Sequence, residues 1–294
     1  MRIIFSTYIE FEDSEFNDDE DLKKNLKNKN LFKKNYQFLI EQHEKYADHL
    51  KIKYKLFVDD DNWKNYKKYF KINHPYISNY NIINFYKIHL LYELIKKYDE
   101  VLYLDFDVVP LTKENIFEHY NLDEGIVCKV NHEKDPVEYF NRFTEKSDYY
   151  NNTGKTFSQR SPEAKYWNCK AMLLNKSLND DNDVYNTGIV LANKKNLKKL
   201  NYFDKFNQTL NFMTKLKNEE GMWPDFIRSA FGYDNETLFS FKMKTNKVNL
   251  IKLDDTWHWP YRRAINFIPK ETKMVHVINK NFKFVKEHVK KHNL

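Results

Sequence analysis

The chain has 294 residues, of which 41% are apolar and 17% aromatic, and a net charge of +7. Such a length supports one large core, and 23 Phe, 21 Tyr and 5 Trp argue against disorder along its whole length. With only 5 Gly and no G-x-G-x-x-G or G-x-x-x-x-G-K-[ST], the Gly-rich phosphate loops are excluded, and no apolar run approaches the about 18 residues of a membrane helix.

Residues 2–8 (RIIFSTY) predict a short buried strand, and residues 11–30, charged around Asp18 to Asp21, a loop leading into a helix. Phe32, Phe38, Leu39, Tyr46 and Leu50 recur at helical offsets over 31–50. Residues 52–58 (IKYKLFV) predict a second strand, ended by Asp59-Asp60-Asp61. A helix over Ile82 to Tyr98 puts Ile83, Leu90, Leu91, Leu94, Ile95 and Tyr98 on one face, with Asn81 or Ser78 as its N-cap. Val101 to Leu104 predicts a strand, as do 126–130, 184–192, 248–253 and 273–278. Residues 197–217 and the basic tail from Asn281 to His292 read as helices, whereas 131–182 carries no clear pattern. Alternating strands and helices predict an α/β fold with a mostly parallel central sheet flanked by helices.

Cys128 and Cys169 have neither metal nor disulfide spacing and suit a reducing compartment. Met1-Arg2 runs straight into Ile3-Ile4-Phe5, too short a lead for a signal peptide, so a cytoplasmic protein is expected. The modest basic excess suits an anionic ligand such as a nucleotide or phosphate. Lysines are scattered among acids rather than gathered in a stripe, which argues against a nucleic-acid-binding module.

The D-x-D triplets Asp59/Asp61 and Asp181/Asp183 read as solvated turns. Asp105/Asp107 differ, because four apolar residues precede them and two follow. Ionised carboxylates in such a run require a cation or donors. Alternation along a strand points Asp105 and Asp107 one way and Phe106 the other. Two carboxylates on one face at a strand end suit Mg²⁺ or Mn²⁺, hard cations that leave coordination positions for phosphate oxygens.

The stretch NFYKIHLLYELIKKYDEVLYLDFDVVP (residues 84–110) resembles the central segment of GT-A glycosyltransferases, and is most similar to that of glycosyltransferase family 8. Further segments line up in order: RIIFSTY (2–8) with the first nucleotide-contacting strand, VYNTGIVLAN (184–193) with the Asn-x-Gly strand, GYDNETL (232–238) with the acidic motif beside the transferred sugar, and MVHVINK (274–280) with the late strand carrying a metal-binding His and a phosphate-binding Lys. The resemblance implies a Rossmann-like GT-A domain with a nucleotide-binding half over 1–130 and an acceptor-binding half over 131–294. It implies transfer of a sugar from a nucleotide-diphosphate sugar, UDP favoured, to a glycan, protein or lipid-linked acceptor, with retention.

By the same resemblance, Asp105, Asp107 and His276 hold Mn²⁺ or Mg²⁺, with Asp105 shared with the ribose. Ser6, Thr7 and Tyr8 contact the nucleoside, and Lys87 and Lys280 bind the diphosphate. Asn186 and Gly188 line the sugar pocket, and Asp234 or Glu236 meets the sugar. The sequence departs from the pattern at Asn279, where the family has Gly, so Lys280 and Lys283 compete for the phosphate role, and the acidic motif reads Asp234-Asn235-Glu236 rather than Asp-Gln. Trp257-His258-Trp259-Pro260-Tyr261 reads as a sugar-stacking platform or a packed corner. A rival reading takes LDFDVV as the first motif of a haloacid-dehalogenase-type phosphatase, with Asp105 as nucleophile and Asp254-Asp255 as later metal acids.

Overall fold

A computed structural model of the chain describes residues 1–16, 22–131, 141, 144–145, 148, 161–178, 181–219, 228, 231–261 and 267–292. Much of 131–182, which carries no clear pattern in the sequence, lies outside these residues, as do Asp18 to Asp21. The chain divides into two compact units: Met1–Lys129 with Gly188–Lys195 and Ile251–Leu294, and Val130–Thr187 with Asn196–Leu250.

The first unit is built on a sheet in which β1 (Arg2–Thr7) pairs in parallel with β2 (Lys53–Phe57) and with β3 (Glu100–Leu104). β6 (Tyr185–Asn193) joins β3 antiparallel, and β5 (Ile126–Val130) and β7 (Leu250–Lys252) complete the order β2-β1-β3-β6-β5-β7. Ile3, Ile4, Phe5, Val101, Leu102, Leu104, Ile189, Val190 and Leu191 are fully buried. Both sheet faces are therefore covered, which explains why these strands read as apolar runs rather than alternations. The expected α/β layer with its parallel core is present.

α1 (Leu22–Leu50) starts earlier than the apolar offsets alone indicate. α2 (Asp61–Asn73) replaces the expected turn: Asp60 accepts the Trp63 N–H at 3.0 Å, and the helix buries Trp63 and Phe70. α3 (Asn79–Leu94) takes Ser78 as its N-cap and stacks Phe85 on Phe70 of α2 at 5.8 Å. It buries residues all round, including Lys87, so its apolar stripe is broader than the predicted face. α4 (Ile116–His119) is a single short turn adding Ile116 and Phe117 to the core.

A second, three-stranded sheet takes in the strand expected over 273–278 and two short strands that the sequence does not mark. β4 (Val108–Pro110) pairs antiparallel with β9 (Met274–His276), which pairs in parallel with β8 (Trp259–Pro260). Its buried Val109 and Val275 pack with Leu39 of α1, Phe106, and Phe282, Val285 and Val289 of α9 (Phe282–His292).

The second unit holds α5 (Pro162–Asn175), capped by Ser161, which accepts the Ala164 N–H at 3.2 Å. The helix expected over 197–217 is two helices, α6 (Lys194–Leu200) and α7 (Phe206–Asn218). Asn201 and Lys205 between them take positive φ angles of 43° and 51°, which end one helix and redirect the next. α8 (Asn235–Thr245), also not expected, packs on α5 and is capped by Asp234. Among the described residues, no helix is long and apolar enough to cross a membrane.

Candidate functional site

Asp105 and Asp107 do not lie in one continuous strand, as the alternation argument assumed. β3 ends at Leu104, and Asp105-Phe106-Asp107 forms a turn closed by the Val108 N–H donating to the Asp105 carbonyl at 2.9 Å. The reason is that β3 and β4 belong to different sheets, so the chain turns a corner at this point. The Asp105 N–H donates to the Gly188 carbonyl at 2.7 Å, holding the corner to β6, while the Val277 N–H donates to the Asp107 carbonyl at 2.9 Å, holding it to the β9 segment. Phe106 turns into an aromatic cluster, with ring centres 4.9 Å from Tyr8 and 5.5 Å from Tyr36.

The small sheet delivers the third member. Register pairs Val108 with His276 across β4 and β9, and His276 meets the two acids. Its Nε2 lies 3.3 Å from Asp107 Oδ2 and 3.9 Å from Asp105 Oδ2. One ligand atom from each of Asp105, Asp107 and His276 falls within 4.8 Å of the others, close enough together to share one cation. Two carboxylates and one imidazole are a donor set for Mn²⁺ or Mg²⁺ with positions left over. Asp254 and Asp255 stand outside this group: Asp254 accepts the Thr256 and Trp257 N–H groups at 2.9 and 3.2 Å, and Asp255 pairs with Lys129. The later acids required by the phosphatase reading are thus spent on a turn and an ion pair.

Two lysines balance the acids. Lys280 Nζ bonds Asp107 Oδ2, and Lys87 Nζ, reaching in from α3, lies 3.3 Å from Asp105 Oδ1. Burial opposes ionisation of Asp107, but Lys280 and His276 outweigh it and hold the carboxyl well below the usual carboxylate range. Lys280 reaches this position from a left-handed backbone, φ 56°, one residue beyond Asn279.

Tyr103 and His43 were not singled out in the sequence. The Tyr103 hydroxyl donates to Asp105 Oδ1 at 2.6 Å and also meets Thr7 Oγ1 at 3.1 Å. Burial, reinforced by the Asp105 charge, pushes its pKa well up and keeps the proton on the phenol. His43 Nε2–H donates to the Val108 carbonyl at 2.5 Å, because a carbonyl can only accept. Its Nδ1 therefore accepts from Ser6 Oγ at 3.1 Å and Tyr54 Oη at 3.0 Å. Burial lowers its pKa to about 4, against smaller opposing effects from Val108 and Asp107. Sequence offered no signal for either role, since a Tyr in a strand and a His in a helix are ordinary core residues.

Of the expected nucleoside contacts on β1, Ser6 and Thr7 have buried side chains bonded to His43 and Tyr103. Tyr8 is half-buried, its ring 4.9 Å from that of Tyr36, and burial lifts its hydroxyl to about 12.

The acidic motif belongs to the second unit and is built into it. Asp234 Oδ1 accepts the Glu236 and Thr237 N–H groups at 2.8 and 3.2 Å, the cap of α8. Glu236 Oε1 accepts the Thr187 N–H at 2.8 Å, and its Oε2 accepts Lys165 Nζ of α5 at 2.5 Å. Lys165 also lies 3.6 Å from Asp234 Oδ2. Asn235 Nδ2 donates to Thr187 Oγ1 at 2.9 Å. Asn186, the second residue of β6, is half-buried beside this network in sequence. The signal for α8 was present in the D-N-E-T segment, an N-cap residue followed by an acid in the first turn.

No family model matches the sequence, and no curated protein matches it. Among solved structures, the chain is similar to the galactosyltransferase LgtC in complex with donor and acceptor sugar analogs, at 12% identity and a TM-score of 0.45 over 95% of this chain and 87% of that one. It is similar to a glycosyltransferase involved in glycosylation of the major capsid of PBCV-1, at 12% identity and a TM-score of 0.42 over 99% and 98%. It is also similar to mouse xyloside xylosyltransferase 1 in its apo form, at 14% identity and a TM-score of 0.41 over 78% and 77%. Likenesses of this depth say nothing of donor, acceptor or metal.

Proposed function

We propose that this protein is a metal-dependent glycosyltransferase of the GT-A type, moving a sugar from a nucleotide-diphosphate sugar, a UDP-sugar first, to a glycan, protein or lipid-linked acceptor with retention. One observation carries the reading: Asp105 and Asp107 of LDFDVV and His276 of MVHVINK, far apart in sequence, bring ligand atoms within 4.8 Å of one another. Asp105, Asp107 and His276 would hold Mn²⁺ or Mg²⁺, which supplies a Lewis acid for the charge that develops on the departing diphosphate.

The remaining residues take their parts from where they stand. Lys280 and Lys87 stand at the carboxylates as point charges and would be the cations offered to diphosphate oxygens when the donor binds. Tyr103 stays on Asp105 Oδ1, so that Oδ2 is the oxygen turned toward His276. With Ser6 and Thr7 spent inside, Tyr8 is the side chain of the β1 end assigned to the base. Residues 1–130 are assigned chiefly to the nucleotide and 131–294 to the acceptor. Asn186 and Gly188 are assigned to the sugar, and Asp234 or Glu236 to the positive charge that develops at its anomeric carbon.

Incubation with UDP- and GDP-sugars, reading nucleotide diphosphate release, tests the proposal. The expected result is release that requires Mn²⁺ or Mg²⁺ and is lost in Asp107→Asn. Turnover of p-nitrophenyl phosphate that depends on Asp105, with no release of nucleotide diphosphate, would instead establish the phosphatase.

A further inference from the structure

His258 lies in the Trp257-to-Tyr261 segment, to which the function above gives no part. It is buried, its Nε2 lies 2.8 Å from His276 Nδ1, and the two rings stack with centroids 5.0 Å apart. The placement is held by backbone: Pro260 is the register partner of His276, and the Tyr261 N–H donates to the His276 carbonyl at 2.9 Å. The other imidazole nitrogen of His276, Nε2, is the one that faces Asp105 and Asp107.

We propose that His258 is the positioning residue of His276, fixing its tautomer so that the Nε2 lone pair faces the two carboxylates. A neutral imidazole carries one N–H and one lone pair. For Nε2 to offer its lone pair to a cation, the proton must sit on Nδ1, and a buried N–H there needs an acceptor. His258 Nε2 is the acceptor within reach, and it accepts in the tautomer that carries the His258 proton on Nδ1. Without the acceptor, the His276 proton moves to Nε2, where it can donate to Asp107 and blocks ligation. The hydrogen bond can also run the other way, His258 Nε2–H donating to Nδ1. The pair therefore accommodates His276 both with and without a cation, as no apolar residue at 258 can.

The inference rests on the metal reading of the site, and titration of Mn²⁺ by electron paramagnetic resonance separates the two. His258→Phe keeps a stacked ring and loses the hydrogen bond, whereas His258→Gln keeps a polar atom at the Nε2 position and loses the ring. The expected result is Mn²⁺ affinity reduced about 10–100-fold in His258→Phe and restored to within about threefold of wild type in His258→Gln. Metal binding lost in Asp107→Asn but unchanged in His258→Phe overturns the role of His258 alone. No Mn²⁺ binding by the wild type removes the metal reading and this inference with it. Should His258→Phe fail to fold, the unsubstituted protein decides: long-range ¹H–¹⁵N spectra with Mg²⁺ and UDP should show His276 protonated at Nδ1, and protonation at Nε2 overturns the proposal.

Discussion

Val108 and His276 are register partners across the antiparallel β4–β9 ladder, and this pairing brings the late histidine to the carboxylate corner. Asp107 immediately precedes Val108, and its carbonyl accepts the N–H of Val277 at 2.9 Å. Backbone hydrogen bonds thus fix the spacing of the site before any side chain acts.

Lys280 occupies the carboxylate oxygen that a cation would take. Metal alone must displace it, whereas metal with a diphosphate gives the ammonium a new anion. Lys280→Met is therefore expected to split two affinities: Mn²⁺ alone binds about tenfold more tightly, and UDP in the presence of Mn²⁺ binds about tenfold more weakly. Calorimetric titration of each ligand checks this. Both affinities moving in the same direction would contradict it.

His43 is neutral in the fold, with a pKa lowered from 6.5 to about 4 chiefly by burial. The unfolded chain binds this proton at higher pH than the folded one does. Stability from this group is therefore complete above about 6.5, falls as the pH drops through the window, and is exhausted near 4. The whole loss amounts to about 3 kcal/mol. Urea denaturation between these pH values should show that slope in the wild type and lack it in His43→Gln, which retains a donor toward the Val108 carbonyl.

Lys165 neutralises two buried acids, at 2.5 Å from Glu236 and 3.6 Å from Asp234. Lys165→Met removes the cation that Glu236 and Asp234 share and is expected to cost about 3–5 kcal/mol. Adding Glu236→Gln removes one of the two acids' charges and keeps an acceptor for the Thr187 N–H, so the double variant should regain part of the loss. A double-mutant cycle by denaturant unfolding measures the coupling, and simple additivity would contradict the ion-pair account.

What the sequence made legible follows from how locally each feature is encoded. β1, β3 and α3 announce themselves through apolar runs and a Ser cap, and the two acids through the apolar setting that makes their charge costly. The small sheet was legible only in β9, which falls within the strand expected over 273–278, because β4 and β8, of three and two residues, carry no period. Without a period in β4, the alternation puts the acids along one strand, whereas they stand at a corner between two sheets. α2 was hidden because Asp60 caps a helix with the same residue type that ends a strand. The break between α6 and α7 falls at Asn201 and Lys205, where neither Gly nor Pro marks it. His43, Lys165 and His258 act through partners distant in sequence, while Tyr103 acts on Asp105 only two residues on and is marked by nothing but an ordinary place in an apolar strand.

On the function proposed above, Asp107, with Asp105 and His276, couples a divalent cation to a nucleotide diphosphate. Thermal unfolding with UDP, with and without Mn²⁺, tests it most directly, because a ligand bound only by the native state raises the midpoint. The account predicts a rise with UDP and Mn²⁺ together in the wild type, little with either alone, and none in Asp107→Asn. An equal rise with UDP when Mn²⁺ is chelated, or an unchanged rise in Asp107→Asn, would contradict it.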